Sequence, residues 1–256
     1  MALLTVSALA RSFYGVTALA GADLTVEAGT ITGLIGPNGA GKTTLFNCIS
    51  GLVPPAAGTI MFDGEDITGW RPDRIARRGL VRTFQIARGF LTLTVLENLL
   101  LYGPDQPGEQ LSVALFRPGR AARREGELLE RAIAVAEQLQ PTRVLDNRAG
   151  DIRGGQKKLL EIGRALMAAP KLILLDEPIA GVNPTLSEEI GRHLLALRDQ
   201  GQTFLVVEHN MDMIARLCDP VIVMAEGRKL TEGSFATVAA DARVQEAYMG
   251  RRQWAS

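Results

Sequence analysis

The sequence predicts an α/β fold with a parallel sheet, and three observations lead to that prediction. Short apolar runs of strand length alternate along the chain with stretches of helical spacing. Several of these runs lead directly into polar or glycine-rich residues. Hydrophobic residues make up 46% of the 256 residues, enough for a substantial buried core. In such sheets, ligands bind at the carboxyl ends of the strands.

The individual elements follow in order along the chain. Met1–Leu9 alternates well enough for a first strand, and Ile31–Ile35 is an apolar strand that runs into a glycine-rich turn. Gly41–Ser50 then has the character of a helix. Two further apolar runs predict strands, at Leu172–Leu175 and Thr203–Val207.

A helix is predicted to begin at Pro184, because proline is favoured in the first turn of helices. The apolar residues that follow recur at helical spacing on one face, and they are Leu186, Ile190, Leu194 and Leu197. The segment between the last two predicted strands is therefore an amphipathic helix.

Two regions depart from this alternation and predict additional subdomains. Residues 1–30 and 58–70 are rich in turns and β-formers, which indicates a small antiparallel sheet flanking the core. Residues 87–155 hold a Pro/Gly-rich loop and then a helical run from about Arg120 to Leu139, which indicates an inserted helical subdomain. The predicted division assigns residues 1–86 and 156–256 to the core with its β subdomain, and residues 87–155 to the helical subdomain.

Charge and cysteine content argue against several classes of protein. Lys plus Arg and Asp plus Glu number 28 each, so the formal net charge is zero. A dedicated nucleic-acid binder would normally carry a basic surplus. Cys48 and Cys218 match no metal-ligand spacing and read as reduced, buried thiols of a cytosolic protein. No apolar stretch is long enough to span a bilayer, so a role at a membrane would depend on partners.

The strongest motif is the segment 36–44, which fits the P-loop pattern of glycine, four residues and Gly-Lys-Thr between a strand and a helix. Glycines let the backbone approach phosphate oxygens, which the N–H groups and the helix N-terminus bind. Lys42 adds a positive charge near the β and γ phosphates, and Thr43 supplies a hydroxyl to Mg²⁺. The motif predicts an ATP site made by Gly36, Pro37, Asn38, Gly39, Ala40, Gly41, Lys42, Thr43 and Thr44.

Two adjacent acids, Asp176 and Glu177, follow the next predicted strand. In P-loop ATPases, an aspartate at this place holds Mg²⁺ directly or through water. Glu177 is then placed to orient or deprotonate the attacking water. Taken alone, the two acids could equally be ordinary surface residues after a strand. The P-loop upstream favours the functional interpretation.

A histidine, His209, follows Glu208 at the end of the last predicted strand. A histidine just past a strand end can donate a hydrogen bond to a terminal phosphate. By itself the position fits a structural role equally well. The second histidine of the chain, His193, lies inside the helix after Pro184 and reads as structural or exposed.

Together these motifs resemble the ATP-binding subunits of ABC transporters, over essentially the whole chain. The family's distinguishing mark is a signature, Leu-Ser-Gly-Gly-Gln, which opens a helix before the Walker-B strand. In the family, two subunits dimerise head to tail, and each signature helix points its N-terminus at the γ-phosphate on the partner's P-loop. Here the signature position holds Ile152, Arg153, Gly154, Gly155 and Gln156.

The resemblance assigns roles to further residues. Gln85 matches the glutamine that senses Mg²⁺ and water, and His209 matches the family's switch histidine. Phe13 lies near the place of an aromatic that stacks on adenine; Tyr14 could stack there instead, and Phe13 could be a plain core residue. The implied catalytic residues are Glu177, His209 and Gln85, and the implied metal ligands are Thr43, Gln85 and Asp176.

One departure from the family pattern concerns the signature serine, which Arg153 replaces. Arginine is larger and permanently charged. Its side chain could contact phosphate, point away, or disturb closure, while the backbone donors of Gly154 and Gly155 are kept. The affected site is the one on the partner's P-loop. A homodimer would carry the change at both sites, and a heterodimer of related ATPases would have unequal sites.

Finer features resemble the ATPases of branched-chain amino-acid importers, notably the segments 82–85, 207–211 and 244–250. The resemblance implies an ATP hydrolase that uses ATP and Mg²⁺ at the cytoplasmic face of the inner membrane. The implied partners are transmembrane permease subunits, a second ABC ATPase subunit and, indirectly, a periplasmic or external binding protein, but no nucleic acid. Related ATPases for urea, short amides or lipopolysaccharide export share much of the pattern. A non-transport ABC ATPase, or a regulatory module with little catalysis, would also carry most of these motifs.

Overall fold

The computed structural model describes residues 1–83, 90–104, 118–139 and 144–249, with two sheets and nine helices in those ranges. The strands are β1 (Ala2–Phe13), β2 (Val16–Glu27), β3 (Ile31–Ile35), β4 (Ala57–Phe62), β5 (Glu65–Asp66), β6 (Leu80–Arg82), β7 (Leu172–Asp176), β8 (Thr203–Val207), β9 (Val221–Ala225) and β10 (Arg228–Gly233). The helices are α1 (Lys42–Ile49), α2 (Pro72–Arg78), α3 (Val95–Leu100), α4 (Pro118–Leu139), α5 (Gly154–Met167), α6 (Pro184–Asp199), α7 (Met211–Leu217), α8 (Phe235–Ala240) and α9 (Ala242–Met249).

The larger sheet has the strand order β10-β9-β3-β8-β7-β6. Strands β9, β3, β8, β7 and β6 run parallel, and β10 pairs antiparallel with β9 at one edge. Every residue of β3 and β8 is buried. A strand covered on both faces needs a continuous apolar run, which is why these segments were recognisable in the sequence. The predicted parallel sheet is confirmed.

The smaller sheet is antiparallel, in the order β2-β1-β4-β5. Strands β1 and β2 meet at a tight turn whose residues Tyr14 and Gly15 both have positive φ, 49° and 87°. Turns of this kind match the twist of a two-stranded hairpin. One apolar cluster, with Phe46 and Phe62 fully buried in it, contains residues of both sheets and of α1. The predicted antiparallel subdomain is confirmed.

The chain divides into two compact units. The first unit comprises Met1–Arg82, Lys171–Ala180 and Ser187–Ser256, and the second comprises Thr83–Pro170 and Gly181–Leu186. The first contains both sheets, and the second contains α3, α4 and α5. Helix α4 begins at Pro118, slightly before the predicted start of the helical run. In the described part of the chain, no helix combines the length and the apolar content that crossing a membrane requires.

A buried polar network organises the second unit. The Asn98 amide is fully buried and donates to the carbonyl oxygens of Phe90, Leu93 and Thr94. The Arg164 guanidinium of α5 donates to the amide oxygen of Asn98. Burial lowers the pKa of Arg164, the direction expected for a cation removed from water. The network fastens the segment before α3 to the signature helix α5.

Candidate active site

The predicted motifs of the first unit lie at the carboxyl ends of neighbouring strands of the larger sheet. Strands β3, β8, β7 and β6 are parallel neighbours, so their carboxyl ends coincide. Gly36 follows β3, Glu208 and His209 follow β8, Glu177 follows β7, and Arg82 ends β6. The fold therefore brings the P-loop, the two acids and the histidine to a common rim, as the sequence predicted.

The P-loop is pressed against two strands at positions that only glycine fits. Gly36 has a φ of 150°, and a Cβ there would lie 2.2 Å from the carbonyl oxygen of Met224 on β9. Gly41 has a φ of 100°, and its Cβ would lie 2.5 Å from the carbonyl oxygen of Ala18 on β2. Glycine at these positions allows the close backbone approach that a phosphate-binding loop requires.

A turn from the far end of the chain supports the same loop. Gly227, between β9 and β10, donates its N–H to the carbonyl of Ala40 at 3.1 Å. Its own carbonyl accepts from the N–H of Ala20 at 2.9 Å. The turn thus joins the P-loop to β2. No pattern local to Gly227 marks this role, so the sequence did not predict it.

Lys42 is folded back onto its own loop. Its Nζ donates to the carbonyl oxygens of Gly36 at 2.6 Å and Pro37 at 3.1 Å, and the residue is 7% exposed. Thr43, beside it in the first turn of α1, is exposed. Helix α1 carries no acid in its first turn, so its positive end is not neutralised there. The loop, the lysine and the helix end together suit a polyphosphate.

Asp176 is held by an arginine, Arg82, to which the sequence assigned no role. Nη2 of Arg82 lies 2.6 Å from Oδ2 of Asp176, and Nη1 donates to Oδ1 of Asn47 on α1 at 2.6 Å. The guanidinium also lies 5.7 Å from the ring centroid of Phe46. The Arg82 side chain is only 8% exposed. The bridge connects β6 with the P-loop helix and with the acid at the end of β7.

Glu177 and His209 form a pair at the rim. Nε2 of His209 lies 3.1 Å from Oε1 of Glu177, with the side chains 48% and 45% exposed. Glu177 has a φ of 49°, a left-handed conformation that costs roughly 1–2 kcal/mol outside glycine. Its N–H donates to the carbonyl of Val207 at 2.9 Å, which continues the ladder between β7 and β8. A half-exposed carboxylate next to a histidine is suited to water activation.

Glu208 was not assigned a role from the sequence, but it organises this rim. It is 4% exposed. Oε1 accepts from the N–H of Ile179 at 3.1 Å, and Oε2 accepts from those of His209 at 2.9 Å and Asn210 at 3.4 Å. One carboxylate therefore fixes both the loop after Glu177 and the start of the histidine loop. The clue in the sequence is a charged residue directly after an apolar strand.

The signature residues lie in the second unit at the start of α5. Arg153 is the exposed N-cap residue, and its N–H donates to Oε1 of Gln156 at 3.1 Å. Its guanidinium carries only donors, so it cannot cap the helix as serine does. Among the described residues, no side chain pairs with it. A Cβ on the buried Gly155 would lie 2.0 Å from Cδ2 of Leu186, whereas Gly154 borders open space.

The described residues include the predicted adenine site but not the glutamine predicted to sense Mg²⁺. Phe13, at the end of β1, is half-buried, and the Arg11 guanidinium lies 4.9 Å from its ring centroid. Tyr14, at the hairpin tip, is fully exposed. The hairpin continues along β2 to Ala18, which contacts the P-loop. Gln85 lies outside the described residues.

Comparison with known sequences gives full-length relatives. The pattern of the family described as ABC transporter matches residues 19–180. A probable branched-chain amino acid transport ATP-binding protein, LivG, of Archaeoglobus fulgidus is 41% identical over 250 residues, which cover 98% of this chain and 96% of the relative. The high-affinity branched-chain amino acid transport ATP-binding protein BraF of Pseudomonas aeruginosa is 37% identical over 249 residues, covering 97% and 98%.

Comparison with solved structures gives the same architecture. A nucleotide-free ATP-binding cassette from an ABC transporter aligns with a TM-score of 0.85 at 40% identity, covering 98% of this chain and all of the other. An ATP-binding cassette of an ABC transporter in its ADP conformation aligns with a TM-score of 0.84 at 38% identity, covering 98% and 99%. The α/β fold with its antiparallel sheet is therefore confirmed.

Proposed function

The chain belongs to the ABC transporter family, and from that premise we propose that it is the ATP-hydrolysing subunit of an importer of amino acids, the branched-chain ones in particular. ATP hydrolysis coupled to transport is the activity of the family. The single observation that carries the catalytic assignment is the Glu177–His209 pair at the rim that also holds the P-loop. The substrate class is supported by the names of the full-length relatives.

ATP binds with its phosphates along Gly36–Thr44 and its adenine beside Phe13. Lys42 exchanges the carbonyl oxygens of Gly36 and Pro37 for phosphate oxygens, so its charge is already at the loop when the nucleotide arrives. Magnesium is a hard cation that often takes one or two protein oxygens and completes its shell with phosphates and water. Thr43 and Asp176, together with Gln85, would hold Mg²⁺, which would neutralise charge on the phosphates.

Hydrolysis depends on the two rim residues. Glu177 takes a proton from water as the water oxygen attacks the γ-phosphorus, and the bond from that phosphorus to the β,γ-bridging oxygen breaks to give ADP and phosphate. His209 donates a hydrogen bond to the γ-phosphate and, at 3.1 Å, also positions the Glu177 carboxylate.

The working assembly contains a second ATPase subunit, of the same or a related kind. Arg153, Gly154, Gly155 and Gln156 of one subunit meet the nucleotide on the other subunit's P-loop, as an anion at a helix N-terminus. Two permease subunits carry the substrate across the cytoplasmic membrane, and an external binding protein delivers it. The chain acts peripherally, at the cytoplasmic face.

The catalytic assignment is tested with the purified chain and its Glu177→Gln variant. We expect the variant to lose at least about a hundredfold in turnover, since general base catalysis contributes roughly 10²–10⁴-fold, while it still binds ATP. Light scattering with ATP is expected to detect a dimer that persists in the variant. Glu137→Gln, an exposed change on α4, is the control and keeps wild-type turnover. Equal turnover in Glu177→Gln and wild type would refute the role of Glu177.

The substrate assignment is tested in cells that lack this chain. We expect the loss of labelled leucine, isoleucine and valine uptake, with recovery from the wild-type chain and none from Glu177→Gln. A tagged chain is expected to copurify with permease subunits. Unchanged uptake of these amino acids together with lost uptake of urea or short amides would reassign the importer. Copurification without any permease would favour a non-transport ATPase.

A further inference from the structure

The Arg82 guanidinium is fixed on three sides within the first unit. Asp176 binds one of its nitrogens, Asn47 binds another, and the ring of Phe46 lies beside it. Two of these partners belong to α1, the helix that begins with Lys42 and Thr43 of the P-loop. Arginine keeps its charge at all ordinary pH values. Arg82 therefore places a permanent positive charge beside one oxygen of Asp176, the carboxylate expected to hold Mg²⁺.

We propose that Arg82 is a positioning residue that holds Asp176 by Oδ2 and weakens the affinity of the site for its divalent cation. This inference rests on the proposed function of the site. Asp176 carries one negative charge, and the positive charge of Arg82 neutralises it. Protein groups alone therefore bind the metal weakly. Tight metal binding then requires the charges of the nucleotide phosphates.

The geometry explains why the charge cannot withdraw. The Arg82 side chain is 8% exposed, so solvent and salt screen it little. Its hydrogen bond to Asn47 competes with any movement away from the P-loop helix. Removing one partner of a buried ion pair is usually destabilising, so a purely structural pair is the competing explanation. A structural pair predicts loss of stability and of nucleotide binding whether metal is present or not, whereas our proposal predicts a change specific to the metal.

The test is a titration of the full chain, saturated with ADP, with Mn²⁺ as a probe of the Mg²⁺ site, monitored by the electron paramagnetic resonance signal of free Mn²⁺. Arg82→Gln removes the charge and keeps hydrogen-bonding groups. We expect the Mn²⁺ midpoint, the free Mn²⁺ concentration at half-saturation, to fall about tenfold in this variant. A change of this size is on the scale of the interaction with one unit charge a few ångströms away after screening. Arg82→Lys and Asn47→Ala keep the charge and are expected within about twofold of wild type. ADP binding in EDTA is expected to change less than about twofold in all three variants.

A second variant avoids any change at Arg82 itself. Asn47→Asp places a carboxylate on the other side of the guanidinium at nearly equal volume, and it is expected to lower the Mn²⁺ midpoint as well. If thermal unfolding shows that Arg82→Gln does not fold, the Mn²⁺ midpoint of Asn47→Asp tests the proposal instead. An unchanged or raised midpoint in both Arg82→Gln and Asn47→Asp would overturn the proposal. So would an equal loss of ADP binding in EDTA for Arg82→Gln and Arg82→Lys, which marks a structural pair. A wild-type chain that binds ADP neither with metal nor without it would instead refute the proposed function.

Discussion

Individual carboxylates at the rim have separate tasks, and burial distinguishes them. Glu177 is half exposed and pairs with His209, whereas Glu208 is buried and accepts three backbone N–H groups. Buried carboxylates are stable only when such donors surround them. Glu208 therefore fixes the loop containing Ile179 relative to His209.

Replacing Glu208 is the sharpest residue-scale test of that division. Glu208→Ala leaves buried N–H groups unpaired, which typically costs about 1–3 kcal/mol in the free energy of unfolding. We expect a loss in that range by urea unfolding and a fall in turnover of about tenfold or more, because His209 is no longer held beside Glu177. Glu208→Gln keeps one oxygen acceptor and is expected to retain more of both properties. The exposed Glu246→Gln change is the control, and equal behaviour of Glu208→Ala and this control would contradict the role.

At the same scale, the sequence revealed residues whose role can be read from their neighbours in the chain. Asp176, Glu177 and His209 were predicted because each closes an apolar strand in a chain that carries a P-loop. Arg82 was not assigned a role, since its partners Asn47 and Asp176 lie far away in the chain and meet it only after β6 pairs with β7.

At the scale of elements, the loop between β3 and α1 depends on the strand beside it. Gly36 touches the backbone of Met224 on β9, and that contact leaves no room for a side chain. The strain of a positive φ and the steric clash are separate effects. A second glycine with positive φ but open surroundings can therefore measure the first effect alone.

We expect Gly36→Ala to abolish nucleotide binding and to destabilise the chain, because its Cβ would lie 2.2 Å from the Met224 carbonyl oxygen. Gly64→Ala is the matched control, since Gly64 has a φ of 77° and nothing within 4 Å of its Cβ position. The control is expected to cost about 1–2 kcal/mol and to bind ADP normally. Calorimetric ADP titration and urea unfolding measure the two properties. Normal ADP binding by Gly36→Ala would show that the loop can shift away from β9.

The start of helix α5 offers another element-scale prediction. Serine accepts a hydrogen bond from the first turn of a helix, and arginine does not. We expect Arg153→Ser to raise stability by about 0.5–1 kcal/mol and to raise the turnover of the ATP-bound dimer. Arg148→Ser removes the same charge outside the helix and serves as the control. A drop in turnover for Arg153→Ser alone would mean that the guanidinium itself binds phosphate.

Elements were predictable where local sequence determines them. Strands β3, β7 and β8 have continuous apolar runs, and the P-loop is defined by its glycines and lysine. Strand β6 has three residues and exists because it pairs with β7, so no local periodicity predicted it. The network between Asn98 and Arg164 is likewise tertiary, since its two residues lie on different helices and far apart in the chain.

For the molecule as a whole, the pKa values of the two thiols, Cys48 and Cys218, depend on whether the chain is folded. Burial raises the pKa of Cys48 to about 11, with Arg11 opposing the shift, and burial with the nearby Glu208 raises that of Cys218 to about 12. Both thiols ordinarily titrate at 9.0. The unfolded chain therefore loses these protons first as the pH rises, which stabilises the unfolded state above about pH 9.

We expect the free energy of unfolding to fall between about pH 9 and pH 11, and to fall less steeply in a Cys48→Ala, Cys218→Ala double variant. The difference between the two proteins near pH 10.5 is expected to be on the order of 1–2 kcal/mol for each thiol. Urea unfolding at about pH 8 and about pH 10.5 measures it. Iodoacetamide is expected to label neither thiol of the native chain at about pH 8 and both after unfolding. Rapid labelling of the native chain would contradict the burial.

The function of the whole molecule was harder to predict from one sequence than its elements or its individual site residues. The ATPase and its family followed from motifs in this sequence, whereas the proposed substrate class rests on the names of the relatives. The role of Gln85, the choice between Phe13 and Tyr14, and the choice between a homodimer and a heterodimer stay predictions. Each depends on a ligand or a second subunit, and residues of this chain alone do not determine it.

The turn at Gly227 has a consequence for how the protein is made. The P-loop leaves the ribosome well before Met224 and Gly227, the residues on which it rests. At about 5–20 residues per second, many seconds separate the two events. Nascent chains that end before residue 224 should therefore not retain nucleotide. The loop therefore gains its full support only after Met224 and Gly227 have been synthesised and β9 has paired with β3.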